Sequence, residues 1–221
     1  FPFAKWTCYD HGLQSAMIVR WPNKVKAGSV TDAMVEYVDV ASTFIDAAGG
    51  QPVSPVDGRS FLPVLRGKAD THKEHVFGIM TTRGIINGTD AYAIRSVRDT
   101  RYKLILNLNH KSKFTNACTK SPAFQSMVAK ANAGDKTAKR LVNAYQHRPA
   151  VEFFDMEKDP LEMNNLSGHS DYQKHVSRLR TKLNAWMKDQ GDQGVETELK
   201  ANERQGRKRG NKKNTPKKKQ P

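Results

Sequence analysis

The chain has 221 residues, with 37 lysines and arginines, 22 acidic residues and a formal net charge of +15. A chain of this length buries about 70% of its unfolded surface, which is enough for one large domain or two small ones. No run of 18 apolar residues is present, so the sequence excludes a membrane-spanning helix.

The positive charge is concentrated at the end of the chain. Residues 204–221 contain nine lysines and arginines and no acidic residue, and without them 28 basic residues face 22 acidic ones. Because such a polar segment buries too little apolar surface to offset its ordering entropy, we predict a disordered basic tail over residues 192–221. The tail is a candidate contact for a polyanion because of its charge. It lacks the aromatic residues that would stack on nucleic-acid bases. A solvated, disordered end is the simpler interpretation.

The first predicted elements are a strand and two helices. Residues 17–21 form an apolar run, which predicts a strand buried on both faces. A helix is predicted from an N-cap at Thr31 or Asp32 to about residue 48, where two glycines end it. Residues 59–65 are predicted as a short apolar helix.

The middle of the chain predicts an antiparallel sheet. Strands are predicted at residues 75–80, 92–98, 101–108 and 151–155. The second and third are joined by a tight turn with no room for a crossover helix, so they are expected to pair as a hairpin with one apolar face and one basic or polar face.

Helices are predicted to pack on this sheet. One helical region covers residues 122–147, with a break near Gly134. The last helix begins at a capping box of Ser170 and Gln173 and buries an apolar stripe over residues 176–187. We interpret that stripe as core packing.

This order of elements predicts an α/β fold. Residues 1–70 are expected to form the C-terminal edge of a larger α/β domain, and residues 71–191 a small α+β domain with an antiparallel sheet and packing helices.

A lone lysine stands out near the start of the chain. Lys5 lies between Phe1, Phe3 and Trp6, on a predicted loop before the first strand. A sheet fixes the loop that follows or precedes its strands, so a charge on such a loop is a common way to build a site. We therefore expect Lys5 to face an anion.

The two cysteines give no metal motif. Cys8 and Cys118 form no CxxC pattern, and their pairing stays open, with free, partly buried thiols as the expectation. His72 and His75 are close in sequence but lack further ligands for zinc, so no metal-binding residue is predicted.

Four stretches, in order, resemble one known family. They read FPFAKWTCYDHGLQSAMIVRWP, VEYVDVASTFIDAAGG, DGRSFLPVLRG and VEFFDMEKDPLEMNNLS. Together they resemble the C-terminal part of a type I sulfatase of the alkaline-phosphatase-like superfamily. The stretch AYAIRSVRDTRYKLILNLN is most similar to the sulfamidase, or heparan N-sulfatase, branch.

The resemblance implies hydrolysis of a sulfate ester or a sulfamate on a sulfated glycan. The family uses a formylglycine nucleophile, made in a C/S-x-P-x-R motif, together with a calcium ion. Neither Cys8 nor Cys118 lies in that motif, and the family's calcium ligands are absent. We therefore expect the nucleophile and the calcium site to lie upstream of Phe1, and the chain to be inactive when alone. The resemblance also implies an exported protein, which is periplasmic, extracellular or lysosomal.

The resemblance also implies site residues. Lys5 matches the family's sulfate-binding cation and is the one catalytic residue expected here. His11 stands in a turn that departs from the family pattern, and it either faces the substrate or lies on the surface. Thr82 and Arg83 follow a strand end and are expected to border the substrate, with a plain hairpin loop as the alternative.

The acidic residues Asp155, Glu157 and Asp159 are interpreted as shaping the turn before Pro160 rather than as acid and base groups. The alternative function is a non-catalytic polyanion-binding protein that acts through residues 204–221.

Overall fold

A computed structural model describes residues 3–51, 55–81 and 92–200. The helices are α1 (Asp10–Leu13), α2 (Val38–Ala47), α3 (Leu62–Leu65), α4 (Pro122–Asn132), α5 (Lys136–Gln146), α6 (Gln173–Asp189) and α7 (Val195–Leu199). The strands are β1 (Val76–Met80), β2 (Ile94–Arg98), β3 (Tyr102–Asn107) and β4 (Val151–Asp155). Short 3₁₀ turns lie at Ala117–Lys120 and Ser170–Tyr172.

The four strands form one antiparallel sheet in the order β1-β2-β3-β4. Each strand pairs with its neighbour in sequence, and the turn between β2 and β3 is closed by the Asp99 N–H, which donates to the Tyr102 carbonyl at 2.9 Å. The predicted antiparallel sheet with packing helices is confirmed. The division at residue 70 into two domains stays a prediction.

One face of the sheet, here called the helix face, packs against α6. Val97, Leu104 and Phe153 on this face form one buried cluster with Leu179 and Leu183 of α6. The Trp186 ring stacks on Phe77 of β1, with 4.7 Å between the ring centroids. The apolar stripe predicted on the last helix is therefore confirmed as core packing.

The opposite face, here called the loop face, is covered by residues near the start of the chain and by α4 and α5. Ile94, Ile105 and Phe154 lie in one buried cluster with Phe124 of α4 and Tyr145 of α5. Polar side chains of β3 and β4 lie on this same face and are also buried, so both faces of the predicted hairpin are covered.

The strand predicted at residues 17–21 is wrong. These residues have no helix or strand assignment, and Ile18 is 93% exposed. A strand forms only with a hydrogen-bonded neighbour, and within the described ranges the sheet holds only β1 to β4. An apolar run alone does not supply that neighbour.

One predicted helix start and one predicted helix cap are also wrong. Helix α2 begins at Val38 instead of near residue 31, because the Asp39 carboxylate accepts the Glu36 N–H at 2.9 Å and closes the turn before the helix. At the last helix the capping box does not form. The Gln173 amide instead donates to the Ser167 and His169 carbonyls, at 2.8 and 3.0 Å.

The predicted start of the disordered tail is wrong for residues 192–200. Arg95 of β2 is 1% exposed and donates to Asp192 Oδ2 at 2.5 Å and to Glu198 Oε1, in α7, at 3.2 Å. A buried guanidinium needs carboxylate partners, and this pairing orders the segment. Residues 204–221 lie outside the described residues, so disorder there stays a prediction. No helix among the described residues is long and apolar enough to cross a membrane.

Asp39 joins α2 to the segment before β1 through a fully buried carboxylate. It accepts the Arg59 N–H at 3.0 Å and lies 2.8 Å from Lys73 Nζ. Burial opposes its charge, but the bonds from Lys73, Glu36 and Arg59 outweigh burial and lower the pKa of Asp39 below its usual value.

Replacing Asp39 with asparagine should lower the free energy of unfolding at pH 7 by about 1–3 kcal/mol. A lowered carboxyl pKa gives stability that is complete above the ordinary pKa and is lost as the pH falls through the folded-state pKa. The difference between variant and wild type should therefore shrink below about pH 4. Urea unfolding at pH 7 and pH 3 measures it, with Asp189→Asn at the exposed end of α6 as control. An equal difference at both pH values contradicts this account.

Candidate functional site

The segment that contains Lys5, here called the Lys5 loop (residues 3–13), lies on the loop face of the sheet. Cys8 and Tyr9 are buried in the same cluster as Ile94 and Phe154. The Phe3 ring packs on Tyr9 with a centroid distance of 5.6 Å. The middle of the loop is thus part of the core, while Lys5 and His11 are exposed.

Lys5 itself is exposed. Its Nζ lies 4.7 Å from the centroid of the Trp6 ring, which is a cation–π contact. Within the described residues no acidic side chain forms an ion pair with Lys5. The arrangement leaves an ammonium group on a packed loop that is accessible to an anion. Its role as a sulfate ligand stays a prediction.

The backbone around Lys5 is held in an uncommon conformation. Phe3 and Trp6 have φ angles of 61° and 63°, in the left-handed region that costs an L-residue about 1–2 kcal/mol. Thr7 Oγ1 donates to the Ala4 carbonyl at 2.6 Å. Gly12 lies so close that a Cβ there would be 2.6 Å from the Thr7 carbonyl oxygen, so only glycine fits.

A first anchor joins Tyr9 to the sheet. The Tyr9 hydroxyl donates to Glu152 Oε2 at 2.6 Å, and Asn107 Nδ2 donates to Glu152 Oε1 at 2.6 Å. Burial and the neighbouring Glu152 carboxylate hold the pKa of Tyr9 well above its usual value. The hydroxyl therefore remains a hydrogen-bond donor to β4.

A second anchor joins Asp10 to two cations of the sheet. Arg98 of β2 and Lys103 of β3 are directly opposite in register. Asp10 accepts from both, with Oδ1 2.8 Å from Lys103 Nζ and Oδ2 in contact with Arg98. Two like charges opposite one another are unfavourable, so the carboxylate between them stabilises the pairing of β2 with β3.

Glu162 completes this anchor from the segment that follows β4. Its Oε1 lies 2.8 Å from Lys103 Nζ, and its Oε2 accepts the backbone N–H of Asp10 at 2.5 Å. The four side chains carry two positive and two negative charges. We call Asp10, Arg98, Lys103 and Glu162 the four-charge cluster.

Burial has a large effect on this cluster. It lowers the pKa of Lys103 and of Arg98, and it raises the pKa of Glu162. The Lys103 side chain is 1% exposed. Breaking a buried pair by removing one partner leaves an uncompensated charge, which typically costs about 3–5 kcal/mol.

The other predicted site residues are only partly placed. His11 is exposed in α1, one residue after Asp10. Thr82 and Arg83 lie outside the described residues. Met80 and Tyr92, on either side of that segment, belong to the same buried cluster as Cys8 and Tyr9.

Sequence reasoning missed Arg148 and the four-charge cluster. Arg148 is 3% exposed, and its guanidinium lies 4.1 Å from the Phe114 ring centroid. Among the residues that the structure describes, its NH2 group finds no hydrogen-bond partner. The alternation along β2 and β3 signalled a basic face. No sequence pattern indicated that residues 10 and 162 would neutralise it.

The described residues contain no group of three histidine, cysteine or acidic side chains that fits a metal ion. His72 is instead paired with Asp39, with 3.2 Å between Nε2 and Oδ2.

Comparison with known proteins gives consistent matches. Residues 2–122 match the family model described as N-sulphoglucosamine sulphohydrolase, C-terminal. An ulvan-active sulfatase of Formosa agariphila is 34% identical over 188 residues, which cover 85% of this chain and 36% of the relative. The human N-sulphoglucosamine sulphohydrolase is 28% identical over 208 residues, covering 88% of this chain and 40% of the relative. The chain therefore spans well under half the length of these relatives.

A solved structure has the same fold. It is described as a complex with its substrate D-glucosamine-2-N,6-O-disulfate, and its TM-score with this chain is 0.58 at 24% identity. The match covers 81% of this chain and 29% of that chain.

The two cysteines should differ sharply in reactivity. No disulfide joins Cys8 and Cys118, as expected from the sequence. Cys8 is 1% exposed, and burial raises the pKa of its thiol to about 11, whereas Cys118 is half-buried. Because the thiolate is the reactive form, iodoacetamide at pH 8 should label Cys118 first and Cys8 only after unfolding. Mass spectrometry of the labelled peptides measures this, and rapid labelling of Cys8 in the folded protein contradicts the packing of the Lys5 loop.

Proposed function

This chain belongs to the family described as N-sulphoglucosamine sulphohydrolase, C-terminal, and from that premise we propose that it is the C-terminal part of a sulfatase. The predicted resemblance to this part of a sulfatase is confirmed by the family match and by the sulfatase relatives. The proposed reaction breaks an S–O or S–N bond with water and releases inorganic sulfate and an alcohol or an amine.

The observation that supports this function best is that the family match includes the whole Lys5 loop. The structure presents Lys5 as an exposed cation on a loop that is anchored twice to a sheet. A sulfuryl group in transfer has negative charge on its oxygens, and a fixed cation stabilises that charge. Lysine acts there as a point charge rather than as a bidentate clamp. We assign this role to Lys5.

The nucleophile and the metal are proposed to come from outside this chain. A formylglycine would supply the attacking oxygen and a calcium ion would neutralise sulfate oxygens, as the resemblance implies. The residues that the structure describes do not themselves fit a metal ion.

We propose a sulfated carbohydrate as substrate. The names of two relatives specify different substrates, ulvan and N-sulphoglucosamine. We therefore propose the class of substrate and not a single compound. His11, Thr82 and Arg83 are proposed as substrate-binding residues. We further propose an exported location.

Exposed apolar side chains support the proposal that the chain is part of a larger protein. Ile18, Val30 and Phe44 are 93%, 92% and 71% exposed. Large apolar side chains with this exposure are often covered when another protein surface packs on them. The share of the relatives that the chain covers agrees with this proposal.

Replacing Lys5 with alanine in the full-length protein should lower turnover by about 10²-fold or more, as expected when a charge-stabilising contact is removed. Sulfate release from ulvan and from D-glucosamine-2-N,6-O-disulfate, followed by ion chromatography, measures the effect. Lys24→Ala, at an exposed lysine in the next turn, is the matched control and should keep full turnover. Equal turnover in Lys5→Ala and wild type would contradict the role of Lys5 in the active site.

A second candidate function rests on the nine basic residues of segment 204–221. Such a segment attracts sulfated polysaccharides, nucleic acids or anionic surfaces by charge alone. This function needs no catalysis, and it is compatible with the first one.

Deleting residues 204–221 should lower the salt concentration at which the protein elutes from heparin, because nine positive charges are lost. A control variant in which a Gly/Ser sequence of equal length replaces the segment separates the effect of the lost charge from the effect of the lost length. Elution at the same salt concentration for both forms would rule out the tail as a polyanion contact.

A further inference from the structure

Glu162 is the residue of the four-charge cluster that is farthest in sequence from the Lys5 loop. It lies 152 positions after Asp10, yet its carboxylate accepts the backbone N–H of Asp10 at 2.5 Å. The same carboxylate lies 2.8 Å from Lys103 Nζ. Glu162 therefore contacts both the backbone of the loop and the sheet that supports it.

The contact with a backbone N–H distinguishes Glu162 from a simple counter-ion. An ion pair to a long side chain tolerates movement, whereas a bond to the backbone determines where the chain runs. Asp10 is the first residue of α1, and its carbonyl accepts the Gln14 N–H at 2.7 Å. Fixing Asp10 thus fixes the short helix that closes the Lys5 loop.

From α1 the contacts lead back to the residue next to Lys5. The Gly12 N–H donates to the Tyr9 carbonyl at 2.8 Å, and Gly12 packs against the Ala4 and Thr7 carbonyls. Thr7 Oγ1 donates to Ala4 at 2.6 Å. A displacement of Asp10 is therefore transmitted through tightly packed backbone to Ala4.

Glu162 is itself held in an uncommon conformation. Its φ angle is 54°, in the left-handed region that glycine favours. Residues kept in such regions are held by their surroundings and are frequent at functional sites. Here the surroundings are Lys103 and the Asp10 N–H.

We propose that Glu162 is a positioning residue, which acts through Asp10 and the backbone of the Lys5 loop to place the Lys5 ammonium against the sulfuryl group of the substrate. The proposal rests on the proposed sulfatase function. Glu162 and Lys103 are both buried, with side chains 1% exposed, so neither contacts a substrate directly. Their effect on turnover passes through Lys5.

A double-mutant cycle in the full-length protein tests this. Glu162→Gln keeps the size of the side chain and removes its charge. We expect it to lower kcat/KM for D-glucosamine-2-N,6-O-disulfate or ulvan at least tenfold, mainly in kcat. In the Lys5→Ala background the same change should have less than a twofold effect, because Lys5 is no longer there to be positioned. The same fold loss in both backgrounds, or no loss in either, would overturn the proposal.

Hydrogen exchange gives a readout that does not depend on activity. Amides of residues 4–13 should exchange at least tenfold faster in Glu162→Gln than in wild type, while the α6 amides are unchanged. Glu157→Gln is the matched control, because Glu157 lies in the same segment and its side chain is 63% exposed. Unchanged exchange in the Lys5 loop would overturn the coupling of Glu162 to that loop.

The two measurements separate this inference from the proposed function. A lack of effect of Lys5→Ala on turnover, with faster loop exchange in Glu162→Gln, would overturn the sulfatase role of Lys5 and leave the coupling standing. Should Glu162→Gln not accumulate as folded protein, Glu162→Asp takes its place with both readouts. It keeps the charge but shortens the reach to the Asp10 N–H.

Discussion

The structure depends on the neutralisation of two cations that face each other across β2 and β3. Arg98 and Lys103 are in register on the loop face, and neither strand supplies an acid for them there. The acids come from Asp10, before the sheet, and from Glu162, after it. The sheet and the Lys5 loop therefore stabilise each other, because without the loop Arg98 and Lys103 would share only Glu162.

The two faces of the sheet have different tasks as a result. The helix face is an apolar contact between α6 and the strands, and apolar contacts in general tolerate hydrophobic replacements that keep the volume. The loop face combines apolar packing with charges that have defined partners, such as Tyr9 with Glu152 and Lys103 with Asp10. Hydrogen bonds and ion pairs restrict the orientation of side chains more than apolar contacts do. The loop face therefore fixes the position of the Lys5 loop, which carries the candidate site.

Local signals in the sequence predicted much of the fold. The tight turn at Asp99, the alternation in β2 and β3 and the stripe on α6 are all short-range patterns, and the structure confirms them. The strand at residues 17–21 and the tail boundary at residue 192 were wrong because their outcome depends on distant partners. Residues 17–21 have no partner among the described strands. The segment that begins at Asp192 is held by Arg95.

The candidate site divides in the same way. Lys5 was found from its position and from the family resemblance, because a loop cation next to apolar residues is visible in the sequence. Glu162 was not found, because its partners Asp10 and Lys103 are 152 and 59 positions away and only folding brings them together. The partners of Arg95 also decide where the chain can be shortened. Arg95 donates to the Met80 carbonyl at 3.2 Å as well as to Asp192 and Glu198. A chain that ends before Asp192 therefore leaves a buried guanidinium beside β1 without its carboxylates, whereas one that ends after residue 200 keeps both of them.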